Sequence, residues 1–298
     1  IYTEKEKLHE ITQGTDRVKM QSVINELMLQ VGIVLDTEKP DIVFLNGFSL
    51  FNGLLLQAAL DRSIPVVAQH AGIWAIELAI YSDMFSPQGL EVLRAMEVSL
   101  GLRASKNIFL TDYSKKVFFE KVTPVDEQKI SIIPLPFSHE EHIKSKHEGG
   151  TFKIGIVARF DRIKNHKAFL DVAREAKKQG KSWEFYSVTK IPESKINMEF
   201  KSEYKESVDV VPPMNSKELD AFYQTMDLMI LPSVFDVSPH VVFEALFAGT
   251  PTLIADTVGL IDFYTKVGET NYVDDFKDIK KVVEKIEMLK TVPISGKL

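Results

Sequence analysis

Short apolar runs alternate with longer stretches of helical patterning along the chain, and this alternation limits the fold more than any other feature. Apolar runs of four to eight residues are typical of strands buried on both faces of a parallel sheet. We therefore predict an α/β architecture with open parallel sheets. The predicted strands are Ile42–Leu45, Pro65–Gln69, Asn107–Leu110, Lys129–Ile133, Lys153–Ala158, Glu184–Val188, Leu228–Leu231 and Thr252–Ala255. The predicted helices are Val18–Leu35, Gly53–Leu60, Gln88–Leu100, Lys115–Lys121, His166–Gln179, Ser216–Met226, Val241–Ala248 and Asp278–Lys290.

A polar, charge-rich stretch, Ser138–Gly150, interrupts this pattern and is interpreted as a linker. It divides the 298 residues into predicted domains at 1–145 and 151–298, each of ordinary size. Because the first convincing strand comes only at Ile42, we expect the N-terminal domain to be partial.

Composition excludes several classes of protein. The net charge of −6 argues against nucleic-acid binding, and the lack of cysteine excludes disulfides and thiolate metal sites. Ile42–Leu60 is charge-free but polar and glycine-containing, which favours a strand, a turn and a helix over a membrane span. The polar stretch Tyr2–Glu10 does not resemble a signal peptide. We expect a cytoplasmic protein, and peripheral association with the inner membrane face is also compatible with the sequence.

The strongest local signal runs from Leu231 to Pro251. A buried strand is followed by a polar loop, where Ser238 and Pro239 suit the N-cap and first position of a helix. Such a loop lies where open α/β sheets bind ligands, and a helix N-terminus attracts phosphate. Asp236 in the loop and Glu244 in the helix could accept hydrogen bonds from sugar hydroxyls. The alternative is an ordinary strand–loop–helix unit whose acids are solvated.

A second group of residues follows the strand Lys153–Ala158. Arg159 lies at the carboxyl end of this strand, and Lys164 lies five residues later, before the next helix. Two cations at the carboxyl edge of a strand can neutralise a diphosphate leaving group. Solvated surface cations are the alternative.

Other candidate residues have more than one interpretation. His70 directly follows the predicted strand Pro65–Gln69, where it could contact a ligand in a cleft or have a structural role. Aromatic residues could line an acceptor groove or simply pack; these are Phe48, Trp74 and Tyr81. Residues with helical spacing that we assign to the core are Phe222, Tyr223 and Met226. Histidines that could form a zinc cluster, but that lie in the polar linker, are His139, His142 and His147.

Several of these segments resemble family-four retaining glycosyltransferases. Asp236-x7-Glu244 followed by Gly249-Thr250-Pro251 is similar to the family's Glu-x7-Glu and Gly-x-Pro signature, with Asp in place of the first Glu. Arg159-x4-Lys164 resembles its V-G-R-x4-K element, with Ala158 in place of Gly. Weaker resemblances are found in Lys39–Val43, Leu102–Ser114 and Lys129–Pro136. The chain departs from the family at Tyr186–Thr189, where a Gly-rich turn is common.

The resemblance implies the GT-B fold, with two Rossmann-like domains facing each other across a cleft. It implies transfer of a hexose from a nucleoside diphosphate sugar to a sugar, lipid-linked or protein hydroxyl, with retention at the anomeric carbon. The leaving phosphate would itself deprotonate the acceptor, so that neither a separate base, a metal nor another cofactor is implied. Two other functions remain open, a non-catalytic GT-B subunit and a sugar-nucleotide epimerase.

The resemblance also assigns roles to residues. Arg159 and Lys164 would hold the diphosphate, Glu244 the ribose, and Asp236 and His70 the sugar. Backbone groups would complete the donor contacts at Ser238, Pro239, His240 and Val241.

Overall fold

The computed structural model describes residues 9–137, 150–192 and 198–291. The chain divides into two compact units, Ile1–Leu135 and Pro136–Leu298, and each contains its own parallel sheet. Apart from Gly150, the predicted linker Ser138–Gly150 lies outside the described residues, and so do its three histidines.

The first unit contains a four-stranded sheet with the order β1-β2-β3-β4, and all of its strands are parallel. A short helical segment, residues 9–13, precedes the first long helix. The elements are α1 (Arg17–Glu38), β1 (Val43–Asn46), α2 (Leu50–Leu60), β2 (Val66–His70), α3 (Trp74–Ile80), α4 (Pro87–Arg103), β3 (Lys106–Phe109), α5 (Asp112–Lys121) and β4 (Ile130–Ile132).

Helices cover one face of this sheet. The strand register places on that face the buried residues Val43, Leu45, Val66, Ala68, His70, Asn107 and Phe109. The opposite face carries Phe44, which is 54% exposed, next to the half-buried Val67. Residues of α2 and α4 pack into the same core as Leu45, Val66 and Ala68. His70, at the carboxyl end of β2, packs against Phe109 and Phe118.

The charge-free stretch Ile42–Leu60 forms β1, a turn and α2, as predicted. In the described part of the chain, α1 is the helix that is long and apolar enough to cross a membrane. Only 22% of its apolar window is buried.

The second unit contains a six-stranded sheet with the order β10-β9-β8-β5-β6-β7, again with parallel pairing throughout. Its elements are β5 (Phe152–Val157), α6 (His166–Lys178), β6 (Trp183–Val188), α7 (Met198–Ser207), β7 (Asp209–Val211), α8 (Ser216–Thr225), β8 (Leu228–Leu231), α9 (His240–Phe247), β9 (Thr252–Ala255), α10 (Ile261–Val267), β10 (Val273–Asp274) and α11 (Ile279–Leu289).

The strand order of the second unit reverses next to β5. From β5 the chain builds β6 and β7 on one side, and it then returns to place β8 and β9 on the other. The topological switch point therefore lies between β5 and β8, which pair through Ile154 and Leu228. Open α/β sheets bind ligands outside the carboxyl ends of the strands at such a point. The loops that follow β5 and β8 are the ones that contain Arg159, Lys164 and Asp236.

The predicted elements are present, and their boundaries agree to within about three residues. The prediction missed two short strands, β7 and β10, and three helices, α3, α7 and α10.

Candidate active site

The loop after β5 presents Arg159 to solvent. Its side chain is 81% exposed, and one guanidinium nitrogen lies 3.4 Å from an Asp161 carboxylate oxygen. The backbone carbonyl of Arg159 accepts a hydrogen bond from His166 Nε2 at 2.9 Å. Burial lowers the pKa of His166 to about 4, so that the ring is neutral near pH 7. Nδ1 must then accept, and the Tyr204 hydroxyl donates to it at 2.8 Å. This arrangement fixes the backbone from which Arg159 projects.

The same loop is closed before Lys164. The Lys164 backbone N–H donates to Asp161 Oδ1 at 3.0 Å. The next residue, Asn165, has left-handed backbone geometry with φ 52°, and its side chain caps α6 at Ala168 N–H. Lys164 Nζ donates to the carboxylate of Asp236 in the loop after β8. Side-chain exposure is 18% for Lys164 and 14% for Asp236, so the ion pair is largely shielded from water.

Backbone hydrogen bonds hold the loop after β8 on both sides. Val234 N–H donates to the Ile163 carbonyl at 2.8 Å, which joins this loop to the loop after β5. Asp236 N–H donates to the Thr257 carbonyl at 3.3 Å, and the Asp236 carbonyl accepts from Gly259 at 2.7 Å. The backbone of Asp236 is therefore fixed independently of its contact with Lys164.

The N-cap of the helix after this loop lies one residue later than predicted. The expectation that Ser238 caps the helix is wrong, because Pro239 occupies the N-cap position in an extended conformation, and α9 begins at His240. The N-cap residue Pro239 makes no side-chain hydrogen bond to the first N–H groups of α9. His240 is exposed and Val241 is half-buried. This helix N-terminus can attract an anion. Gly249, with φ 78°, follows the end of the helix as expected.

Glu244 lies in the second turn of α9 and is only half-buried. Its Oε2 accepts a hydrogen bond from the hydroxyl of Tyr223 at 2.8 Å. Burial, followed by the nearby Glu244 carboxylate, raises the pKa of Tyr223 far above its usual range. The phenol therefore remains a donor at every working pH. The helical spacing of Phe222, Tyr223 and Met226 predicts core residues, and all three are buried. That spacing gives no sign of the hydrogen bond to Glu244.

His70 lies in the core of the first unit and is 2% exposed. The Asn107 amide N–H donates to the Gly101 carbonyl, so its oxygen faces His70 Nε2 at 2.8 Å and accepts from it. The imidazole stacks on Phe109 at 4.6 Å and contacts Phe118 at 4.5 Å. Burial lowers its pKa to about 4. These contacts favour the structural interpretation, and a contact between His70 and the donor sugar stays a prediction.

The other candidates have simpler surroundings. Phe48 is buried and packs edge-to-face against Trp74 at 4.8 Å, so packing accounts for these two aromatic residues. Within residues 9–137, 150–192 and 198–291, no three His, Asp or Glu side chains are grouped as a metal site requires.

Residues 137–295, more than half of the chain, match the family described as Glycosyl transferases group 1. Among solved structures, sucrose-phosphate synthase from Thermosynechococcus elongatus aligns with a TM-score of 0.69 at 14% identity, over 92% of this chain and 70% of that one. An α,α-trehalose-phosphate synthase (UDP-forming) from Burkholderia vietnamiensis has a TM-score of 0.65 at 10% identity, over 93% and 73% of the two chains. A lipopolysaccharide outer core galactosyltransferase has a TM-score of 0.64 at 13% identity, over 91% and 72%. No curated protein sequence matches the chain.

Proposed function

Since the chain belongs to the group 1 glycosyl transferases and has the GT-B fold, we propose that it transfers a hexose from a nucleoside diphosphate sugar to a hydroxyl acceptor, with retention at the anomeric carbon. The resemblance predicted from the motifs is confirmed at the level of family and fold. Donor identity, stereochemistry and residue roles are the proposed part. The observation that supports the residue roles is that the loops after β5 and β8 meet at the switch point and are joined there by Lys164 and Asp236. The donor class and the retention are inferred from the resemblance to the family.

The cations of the first loop are suited to the donor diphosphate. Arg159 extends into solvent from a fixed backbone, so a phosphate can reach its guanidinium without disrupting the core. Lys164 Nζ already has an anionic partner in Asp236. A diphosphate would be a second anion for the same ammonium group, and the uncapped N-terminus of α9 adds positive partial charge. We assign Arg159 and Lys164 to the leaving diphosphate.

The acids of the second motif are suited to hydroxyl groups. Glu244 keeps its Oε1 and one lone pair of Oε2 for a ligand, because the Tyr223 hydroxyl occupies only one acceptor position. Asp236 presents a carboxylate on a fixed backbone. We assign Glu244 to the ribose and Asp236 to the transferred sugar, with backbone groups of Ser238, Pro239, His240 and Val241 completing the donor contacts.

The proposed reaction needs no general base from the protein. The bond between the anomeric carbon and the phosphate oxygen breaks, and a bond to the acceptor oxygen forms on the same face. The acceptor proton passes to the oxygen of the leaving phosphate. Arg159 and Lys164 stabilise the charge that develops on this diphosphate, which is the main electrostatic demand of the transition state.

A panel of UDP-, GDP- and ADP-glucose, with the corresponding nucleoside diphosphates, tests the proposal. Binding to the native state raises the melting temperature. We expect at least one nucleotide to do so, and the same sugar nucleotide to release its nucleoside diphosphate when an acceptor is present. Failure of every nucleotide to raise the melting temperature or to be turned over would contradict the proposed function. Release with an inverted anomeric product would reject only retention.

A further inference from the structure

The hydroxyl of Tyr223 is directed at the acid that we assign to the ribose. Tyr223 is 1% exposed, whereas its partner Glu244 is half-buried. The hydrogen bond between them joins α8 to α9 across 21 residues of sequence. A buried phenol usually finds a hydrogen-bond partner, but here the partner is a group that a ligand can also reach.

A second buried side chain holds the backbone of Tyr223. The Thr250 hydroxyl donates to the Tyr223 carbonyl at 2.6 Å and lies 3.3 Å from the Met226 carbonyl. Thr250 N–H donates to the Ala245 carbonyl of α9 at 2.8 Å. Thr250 is fully buried. It therefore ties the carboxyl end of α8 to the end of α9, which fixes the position from which the Tyr223 ring projects.

We propose that Tyr223 is a positioning residue for Glu244, which orients the carboxylate for the vicinal hydroxyls of the nucleotide's ribose, and that Thr250 supports it. This inference rests on the proposed role of Glu244. An acid held in one rotamer before binding loses less conformational freedom when the ligand arrives. It also presents its free lone pairs in one direction, so that Tyr223 contributes to discrimination between a ribose and a 2′-deoxyribose.

Tyr223→Phe removes the hydroxyl and keeps the ring. The experiment uses UDP, GDP and ADP with their 2′-deoxy forms, and measures dissociation constants by calorimetry. For the nucleotide that binds, we expect ribonucleotide affinity to fall by about three- to tenfold, the scale of one neutral hydrogen bond. Deoxyribonucleotide affinity should change less, so the preference for ribose should narrow. In transfer assays the donor KM should rise while kcat is nearly unchanged.

Tyr264→Phe is the matched control. Its buried hydroxyl donates to the Thr252 carbonyl at 2.9 Å in the same unit, away from Glu244. We expect this variant to lose comparable stability and to keep its nucleotide affinity and its ribose preference. Thr250→Val and Thr250→Ser provide a second pair. Thr250→Val should reproduce part of the loss of affinity seen in Tyr223→Phe. Thr250→Ser, which retains a hydroxyl, should keep an affinity close to that of the wild-type protein.

The outcomes separate this inference from the proposed function. Glu244→Gln is expected to weaken binding, and adding Tyr223→Phe to it should cause little further loss, because both changes affect one interaction. If Glu244→Gln weakens binding and Tyr223→Phe does not, Tyr223 is only structural and the inference fails alone. Additive losses of nucleotide affinity in the double variant would also mean that Tyr223 does not act through Glu244. If Glu244→Gln leaves affinity intact, its ribose role fails, and the inference about Tyr223 fails with it.

Discussion

Lys164 Nζ donates a hydrogen bond to the carboxylate of Asp236, although the two residues are 72 positions apart in the sequence. A short distance away, Val234 N–H donates to the Ile163 carbonyl, so both backbone and side chains join the two loops. The cation assigned to the diphosphate and the acid assigned to the sugar are therefore partners in this structure. A donor that engages both must replace this ion pair with contacts of its own.

Arg159→Ala should reduce transfer by on the order of a hundredfold or more, the scale for loss of a preorganised donor to a developing charge. The melting temperature should not change, because the side chain is 81% exposed. The control is Lys167→Ala, which removes a side chain of the same charge and similar exposure, paired with Asp171 on α6. Steady-state kinetics measure the transfer rate of both variants. Transfer by Arg159→Ala at the wild-type rate would reject its phosphate role.

Lys164→Ala should also reduce transfer by on the order of a hundredfold, but with an additional structural effect. Removing the ammonium leaves the shielded Asp236 without its cation, so we expect a lower melting temperature than in Arg159→Ala. Lys164→Ala with Asp236→Asn should recover part of that stability but none of the activity. Recovery of transfer in the double variant would show that Lys164 serves only to neutralise Asp236.

Asp236→Asn should have opposite effects on binding and on turnover. Without the carboxylate, Lys164 has no anionic competitor, so nucleoside diphosphate affinity should rise by a few fold. Sugar transfer should fall, because the acid assigned to the sugar is lost. Asp171→Asn, which removes the acid of the exposed pair on α6, should change neither quantity. Weaker diphosphate binding by Asp236→Asn would mean that the acid does not compete for Lys164.

Glu244→Gln keeps the size of the side chain and removes its charge. Loss of a charged acceptor for ribose hydroxyls should weaken binding of the nucleoside diphosphate by about 1.5–3 kcal/mol. A dissociation constant equal to that of the wild-type protein would exclude this role for Glu244. Calorimetry on the donor-free protein measures the effect without interference from turnover.

The sequence predicts much of the fold because each long element has its own local signal. The capping box of Asn215 and Glu218 is one example, and it is present at the start of α8. The missed elements have weak signals. β7 and β10 contain three and two residues, too few for an apolar run, and α3 begins without a side-chain cap.

The candidate site was predictable within each motif but not between motifs. The spacing of Arg159 and Lys164 is local, whereas the bond from Lys164 to Asp236 depends on β5 and β8 being neighbours. The hydrogen bond from Tyr223 to Glu244 could not be predicted either, because apolar spacing does not show where a hydroxyl points. His70 did have a usable signal. It shares the buried face of β2 with Val66 and Ala68, and period-two alternation places it inward.

The two buried histidines should make the free energy of unfolding depend on pH. His70 and His166 have folded-state pKa values lowered to about 4 by burial, below the unfolded value of 6.5. Above pH 6.5 both imidazoles are neutral in the folded and in the unfolded state, and their contribution to the free energy of unfolding is fully present. As the pH falls from 6.5 towards 4, the unfolded state binds protons that the folded state does not, and stability is lost. Each histidine accounts for on the order of 3 kcal/mol.

The pH dependence that Glu97 contributes to stability has the opposite direction, so Glu97 provides the internal control. Its buried carboxylate accepts from Trp74 and Ala75 N–H, and desolvation raises its pKa from 4.5 to about 7. Its contribution to the free energy of unfolding is present below pH 4.5 and is lost as the pH rises towards 7. The cost of His70→Gln in unfolding free energy should therefore shrink on acidification from pH 7 to 4, whereas the cost of Glu97→Gln should shrink from pH 4.5 to 7. Denaturant titrations across this range measure both. A cost of His70→Gln that is independent of pH would mean that the imidazole is not held neutral in the core.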